Sequence, residues 1–338
     1  MGSATKNPAW LSLPWKTRTL VSLLGVATDL PRRKDGTVNR CLAKLLDFRA
    51  PPTTSKPKDG VKTYDVVVDP ARNLSFRVFL PIDHAVEDLP VVVFFHGGGF
   101  VFLSPAMKVY DAVCRRFAKS FPAIIVSVDY RLAPEHPYPA PHDDCFDVLK
   151  FLDDDHENGS KTLPENVNVS RCFVAGDSAG GNLAHHVAQR ASEFNFRRLK
   201  VIGVMAIQPY FGGIERTNSE IELDGTPPMS MKRTDWYWNA LMPESDRDDP
   251  IINVSGAKAV DISNMDFPAT VVVVGGLDTL QDWQKRYYEW LKNSGKEAYL
   301  LDYRNMFHGF CVFPDLPESG QLISEMKDFI HRIVNTVV

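Results

Sequence analysis

The sequence predicts an α/β fold: a mostly parallel central sheet with helices on both faces. Three observations carry this. Short apolar runs bounded by turn residues recur along the chain, and helix-like stretches separate them from Val91 onward. A glycine-flanked serine also sits where one such run passes into a helix-like stretch. Runs that are apolar at every position, not at alternate ones, belong to strands buried on both faces, which is the parallel arrangement.

Taken in order, residues 13–30 place Leu20, Leu23, Leu24 and Ala27 on one face at helical spacing. This amphipathic segment precedes the first strand, so it cannot be a crossover helix of the sheet. Residues 51–58, opening on Pro51-Pro52, read as a flexible link to the body. Residues 62–69 and 74–80, separated by Pro70-Ala71-Arg72-Asn73, read as an antiparallel pair leading into the sheet. Strands follow at 91–95, 124–128, 172–175, 201–207, 271–274 and 298–303. Helices at 106–119, 140–154, 179–191 and 283–294, then a terminal one, alternate with them. Residues 209–265 break the alternation and are rich in Gly, Pro and aromatics, among them Tyr210, Phe211, Trp236, Tyr237 and Trp238. With the amino-terminal segment 13–50 they are candidates for a cap over one end of the sheet. The expectation is a single domain, 1–338.

Composition narrows the function classes. Of 338 residues 44% are hydrophobic and 24% charged, the globular mix, so a core forms without disulfides or metal. Lys and Arg number 38 against 42 Asp and Glu, a net charge of −4, which argues against nucleic-acid and anionic-membrane partners. No run approaches a membrane span. Cys41, Cys114, Cys145, Cys172 and Cys311 are scattered, with none at C-x-x-C spacing, so neither a metal site nor a redox motif is suggested. Met1-Gly2-Ser3 leads into polar residues and Lys6 stands where a myristoylation signal wants Ser or Thr. The sequons at Asn73, Asn158, Asn168 and Asn253 then read as chance matches, and the compartment as cytoplasmic or nuclear.

The strongest chemical signal is Gly176-Asp177-Ser178-Ala179-Gly180-Gly181, between a strand and a helix. A turn this tight leaves no room for flanking side chains, and it lifts the serine hydroxyl to the positive end of the next helix. Serine needs a base, and the base an orienting acid. His308, in the loop Asn305-Met306-Phe307-His308-Gly309 after a strand, is the expected base. His185 and His186 lie two turns into the helix after the serine, and His331 in the terminal helix. Asp278, at the strand end Gly275-Gly276-Leu277-Asp278, is the expected acid, preferred over Asp282 a turn later and Asp302 inside a strand. The second signal is His96-Gly97-Gly98-Gly99-Phe100. Bare backbone N–H groups of Gly97 and Gly98, with that of Ala179, are expected to hold the oxyanion of a tetrahedral intermediate. His96 is expected to pair with backbone and shape the loop.

These motifs, with Asp129-Tyr130-Arg131-Leu132-Ala133-Pro134-Glu135-His136, resemble the hormone-sensitive-lipase-like branch of the α/β-hydrolases. Within it the chain is similar to the plant carboxylesterases and their relatives, the soluble gibberellin receptors. The segments that pair shares are Arg33-Lys34-Asp35-Gly36-Thr37-Val38-Asn39-Arg40, Phe211-Gly212-Gly213-Ile214-Glu215-Arg216-Thr217 and Asp235-Trp236-Tyr237-Trp238. The resemblance spans about residues 15–335. It implies an α/β-hydrolase fold with a helical cap, a Ser178/Asp278/His308 triad and no cofactor.

Three departures separate this chain from the receptors. The receptor pattern replaces the triad histidine by an aliphatic residue, places an arginine where Thr234 stands (Arg233 comes one earlier), and carries serine at Gly99. The expected function is therefore ester hydrolysis on a small apolar ester, with hormone binding without turnover, or a dehydratase or cyclase reaction, as the alternatives. Gly99, Phe100, Tyr110, Phe211 and Phe310 are expected to bind substrate, with Phe102 and Trp236 as weaker candidates. No obligate protein partner is indicated.

Overall fold

A computed structural model describes residues 10, 12–82, 88–121, 123–154 and 162–337. The leading residues 1–9 and the sequon at Asn158 fall outside them. The sheet has eight strands: β1 (Val61–Asp69), β2 (Leu74–Pro81), β3 (Leu89–Phe95), β4 (Ile124–Asp129), β5 (Val167–Asp177), β6 (Val201–Ile207), β7 (Ala269–Gly275) and β8 (Ala298–Tyr303). Their spatial order is β1-β2-β4-β3-β5-β6-β7-β8. Only β1–β2 and β2–β4 pair antiparallel; every other neighbour is parallel. The expected antiparallel lead-in and parallel body are both present.

The continuous apolar runs are explained by where their side chains go. All seven residues of β3 are buried. Val91, Val93 and Phe95 enter one core, beneath α4 (Ala140–Asp154), α5 (Ala179–Glu193) and α8 (Gln281–Asn293). Val92 and Phe94 enter the other, beneath α3 (Lys108–Ser120) and α9 (Pro317–Val337). A period of two with both faces dry leaves no polar position.

The chain turns from β3 outward to β4, then returns to lay β5 on the other side of β3. The loops at the carboxyl ends of β3 and β5 therefore diverge and leave a crevice, the usual ligand position in such sheets. The Gly97–Gly99 loop follows β3 and Ser178 follows β5, so both sequence signals meet at this point.

Two segments outside the alternation lie near that crevice. The first holds α1 (Trp15–Asp29) and α2 (Arg40–Leu46). The apolar face expected on α1 is corrected in part: Leu20 and Leu23 are 47% and 59% exposed, Leu24 and Ala27 are half-buried, and Thr17, Val21 and Gly25 are buried. Gly25 faces Arg233, whose guanidinium donates to the Gly25 carbonyl at 3.2 Å, and a β-carbon there would meet that guanidinium at 3.4 Å, an ordinary contact. Arg40 anchors the start of α2 by donating to the carbonyls of Val101 and Ala133, each at 2.6 Å. The link at 51–58 is not a free tether. The Thr53 N–H donates to Thr63 Oγ1 at 2.8 Å, and Arg115 donates to Thr53 Oγ1 at 3.1 Å.

The second segment, 209–265, carries α6 (Asn218–Glu222) and α7 (Met231–Leu241). Its aromatics pack inward: Tyr210 stacks on Trp238 at 4.1 Å and donates its hydroxyl to the Thr234 carbonyl at 2.6 Å. All five cysteines are unpaired, and only Cys41 is exposed. Among the described residues, no helix is long and apolar enough to cross a membrane.

Candidate active site

The turn that carries Ser178 is built by what its neighbours lack. A β-carbon on Gly180 would fall 1.8 Å from the Phe95 carbonyl oxygen, and one on Gly176 2.3 Å from the Gly180 backbone. The serine itself sits at φ 55°, a left-handed conformation that L-residues resist. The neighbouring backbone holds it there: its N–H donates to Ile207 O at 2.9 Å, and its carbonyl accepts from Tyr210 N–H at 2.9 Å. Strain of this kind, held by surrounding bonds, aims a side chain.

His308 lies in the loop after β8, with Nε2 2.8 Å from Ser178 Oγ and Nδ1 2.7 Å from Asp278 Oδ2. A carboxylate only accepts, so Nδ1 carries the proton and Nε2 faces the hydroxyl as acceptor. Asp278, wholly buried in the turn after β7, also accepts from Leu280 N–H at 2.9 Å and from Gln284 and Gln208 Nε2 at 2.8 and 3.1 Å. Burial draws the His308 pKa down. The Asp278 charge and hydrogen bond, helped by Asp177, outweigh it and hold the ring above its ordinary value. A serine hydroxyl, a base and an orienting carboxylate thus form one hydrogen-bonded chain.

The rival residues are engaged elsewhere. Asp282 accepts from Ser219 N–H at 2.9 Å, and Asp302 is exposed on β8. His185 meets Tyr287 Oη at 3.0 Å and His186 the Ile251 carbonyl at 3.2 Å, while His331 is exposed. His96 Nδ1 lies 2.8 Å from the Gly97 carbonyl and its ring stacks on Tyr130 at 4.3 Å, the loop-shaping role expected.

The oxyanion donors need one correction. The Gly97 N–H is spent inside the protein, on Tyr110 Oη at 2.8 Å and Asp177 Oδ1 at 3.0 Å. Tyr110 Oη in turn donates to Asp177 Oδ2 at 2.8 Å. Among the described residues, the N–H groups of Gly98, Gly99 and Ala179 meet no acceptor. The available set is therefore shifted one glycine along, to Gly98 and Gly99 with Ala179. Asp177 is pushed up to about 6 by burial, against the Tyr110 hydrogen bond, the His308 charge and the Gly97 N–H.

A cavity of about 130 Å³, mostly apolar, opens on Ser178 and His308. Val21, Leu24 and Gly25 of α1 close one side, and Pro228, Met229, Arg233 and Tyr237 another. Of the residues expected to bind substrate, Gly99 and Tyr110 line this cavity. Phe100, Phe211 and Phe310 do not: each is at most 1% exposed and packs into the core, Phe100 on Trp238, Phe211 on Tyr287 and Phe310 on Tyr303. Phe102 borders a neighbouring pocket and Trp236 lies under Arg32. The lining residues missed from the sequence come from α1, from the stretch before and within α7, from Leu103, Met107 and Val109 before and at the start of α3, and from Val312 and Phe313 after the His308 loop. The run Asp235–Trp238 pointed to the α7 stretch but not to its inward residues.

A switch-point sheet whose strand ends bring a serine, a histidine and an aspartate into one chain of hydrogen bonds defines the α/β-hydrolase class. The chain belongs to that family, in its hormone-sensitive-lipase-like branch: residues 92–312 match a family model described as the alpha/beta hydrolase fold. It is 40% identical over 334 residues to a gibberellin receptor of Arabidopsis thaliana, covering 94% of each chain. A probable carboxylesterase of the same plant is 30% identical over 305 residues, covering 88% of this chain and 93% of that one. Among solved structures, an esterase from Pyrobaculum calidifontis superposes with a TM-score of 0.74 at 29% identity, over 95% and 99% of the two chains.

Proposed function

We propose that the protein is a carboxylesterase acting on carboxylic esters of small apolar molecules. One observation carries the reading: the unbroken chain Ser178 Oγ–His308–Asp278 beside unspent backbone N–H groups, at the floor of an apolar cavity. His308, oriented by Asp278, takes the proton from Ser178 as its oxygen attacks the ester carbonyl. The N–H groups of Gly98, Gly99 and Ala179 receive the oxyanion. His308 then protonates the leaving alcohol, and water repeats the cycle on the acyl-enzyme. These steps need only the chain's own groups. Residues 13–50 and 209–265 act as a cap over a single domain, and the five unpaired thiols suit a cytoplasmic or nuclear setting.

The likeness to a gibberellin receptor, at 40% identity over nearly the whole chain, favours a second reading, a hormone-binding protein without turnover. Intact mass after a serine-directed organophosphate, beside an ester chain-length series, separates the two. One adduct, lost in Ser178→Ala, together with turnover supports the esterase. An adduct with no turnover on any ester supports the receptor, and no adduct at all removes Ser178 as a nucleophile.

A further inference from the structure

We infer that Gln208 is a positioning residue for the base, its one carboxamide bracketing the His308 loop and tying it to Asp278. The inference rests on the esterase reading.

Gln208 is the first residue past β6, with its side chain 1% exposed. Its Nε2 donates to Asp278 Oδ2 and to the Phe307 carbonyl, both at 3.1 Å, and its Oε1 accepts from the Gly309 N–H at 2.8 Å. Phe307 and Gly309 are the two chain neighbours of His308. One amide therefore grips the main chain on both sides of the base and holds the carboxylate that orients its ring. The residue adopts φ 44°, an unfavourable value for a side chain of this kind, fixed by its own N–H on Val273 O at 3.0 Å. Gly275 makes the room: a β-carbon there would fall 2.5 Å from Gln208 Nε2.

Gln284 supplies an internal control. It donates to the same Asp278 oxygen at 2.8 Å, but among the described residues its own Oε1 has no partner and it makes no hydrogen bond to the His308 loop. Loss of Gln284 removes a donor from the carboxylate alone. Loss of Gln208 removes a donor and also one hydrogen bond on each flank of His308. Misplacing a reacting group by about 1 Å can cost on the order of a hundredfold in rate.

The test compares Gln208→Met, Gln208→Asn and Gln284→Met with the native chain. Two readouts are followed: the rate of phosphonylation of Ser178 by an organophosphate, and the low-field proton resonance of His308 Nδ1. In both Gln208 variants labelling should slow ten- to hundredfold and the resonance should broaden or vanish. The KM for a short ester should stay within about twofold. Gln284→Met should slow labelling less than threefold and keep the resonance. Native-like labelling and resonance in the Gln208 variants would overturn the inference, as would loss of the fold in both. If the native chain itself is not labelled, the esterase reading fails, while the resonance still decides whether Gln208 holds the base.

Discussion

The ring of Tyr237 lies against Gly99 so closely that a β-carbon on Gly99 would fall 2.5 Å from Tyr237 Cγ. Gly99 also sits at φ 63°, in the left-handed region. Both facts bear on the serine that the receptor pattern carries here. Gly99→Ser should cost about 1–2 kcal/mol from the backbone alone, and about 1–3 kcal/mol more from overpacking against the ring. The expected result is a lower melting temperature and at least tenfold slower turnover of a short p-nitrophenyl ester. Tyr237→Ala removes a buried ring and lowers stability by itself, but it should cost less in the Gly99→Ser background than in the native chain, because there it also removes the clash. A fully native Gly99→Ser protein would show that the ring moves aside freely.

The raised pKa of His308 sets the acid limb of any activity. The base must be neutral to accept the serine proton, so kcat/KM should rise with pH through a midpoint above the ordinary histidine value of about 6.5. Asp278→Asn removes the Asp278 charge, the first of the raising influences, and should lower that midpoint. By analogy with other serine triads it should also cost about 10³–10⁴ in kcat, through loss of the Nδ1–H tautomer. A pH–rate profile of both proteins checks this, and a native midpoint at or below 6.5 would contradict it.

Asp177 should leave a mark on stability in the opposite pH range from an ion-paired carboxylate. Its folded pKa of about 6 stands above the ordinary 3.8, so the folded chain holds its proton longer than the unfolded one. The contribution is then fully present below the ordinary value and lost as pH rises through about 6. Asp177→Asn cannot ionise and should lack that loss. Melting temperatures from pH 4 to 7 should fall more steeply in the native chain than in the variant, and parallel curves would refute it.

How far these residues could be read from sequence follows from what fixes each of them. The Ser178, Asp278 and His308 positions were legible because each follows a strand, and strand ends of a parallel sheet converge whatever the rest of the chain does. The glycine loop was legible as a unit but not in phase. A run of three identical residues gives no sign of which N–H is spent, and only the placement of Tyr110 and Asp177 shows that Gly97 is. Phe100, Phe211 and Phe310 were misread for a related reason: an aromatic beside a motif fits a core or a pocket equally well in composition. The inward face of α1 was the least legible. Leu20 and Leu23 are the more apolar choice, yet the helix turns Val21 and Gly25 inward, against Arg233, some 200 residues later, which donates to the Gly25 carbonyl.

Arg233 is therefore the residue whose loss should best reveal whether α1 closes the cavity. Its side chain is buried, lines the cavity, donates to Gly25 O at 3.2 Å and to the Pro228 carbonyl, and pairs with Asp29 at 2.6 Å. Asp29 is 46% exposed, so that ion pair is worth at most about 1 kcal/mol. The carbonyl contacts and the packed stem supply the rest of the hold. Arg233→Met keeps the stem and removes every polar contact to α1, whereas Asp29→Asn removes only the charge. The KM for a medium-chain ester should rise roughly three- to tenfold in the first and less than twofold in the second. The kcat should stay near native in both, since Arg233 makes no hydrogen bond to Ser178, His308 or Asp278. Steady-state kinetics on the two variants decide it: a fall in kcat at constant KM would mean that α1 supports the chemistry and does not close the pocket.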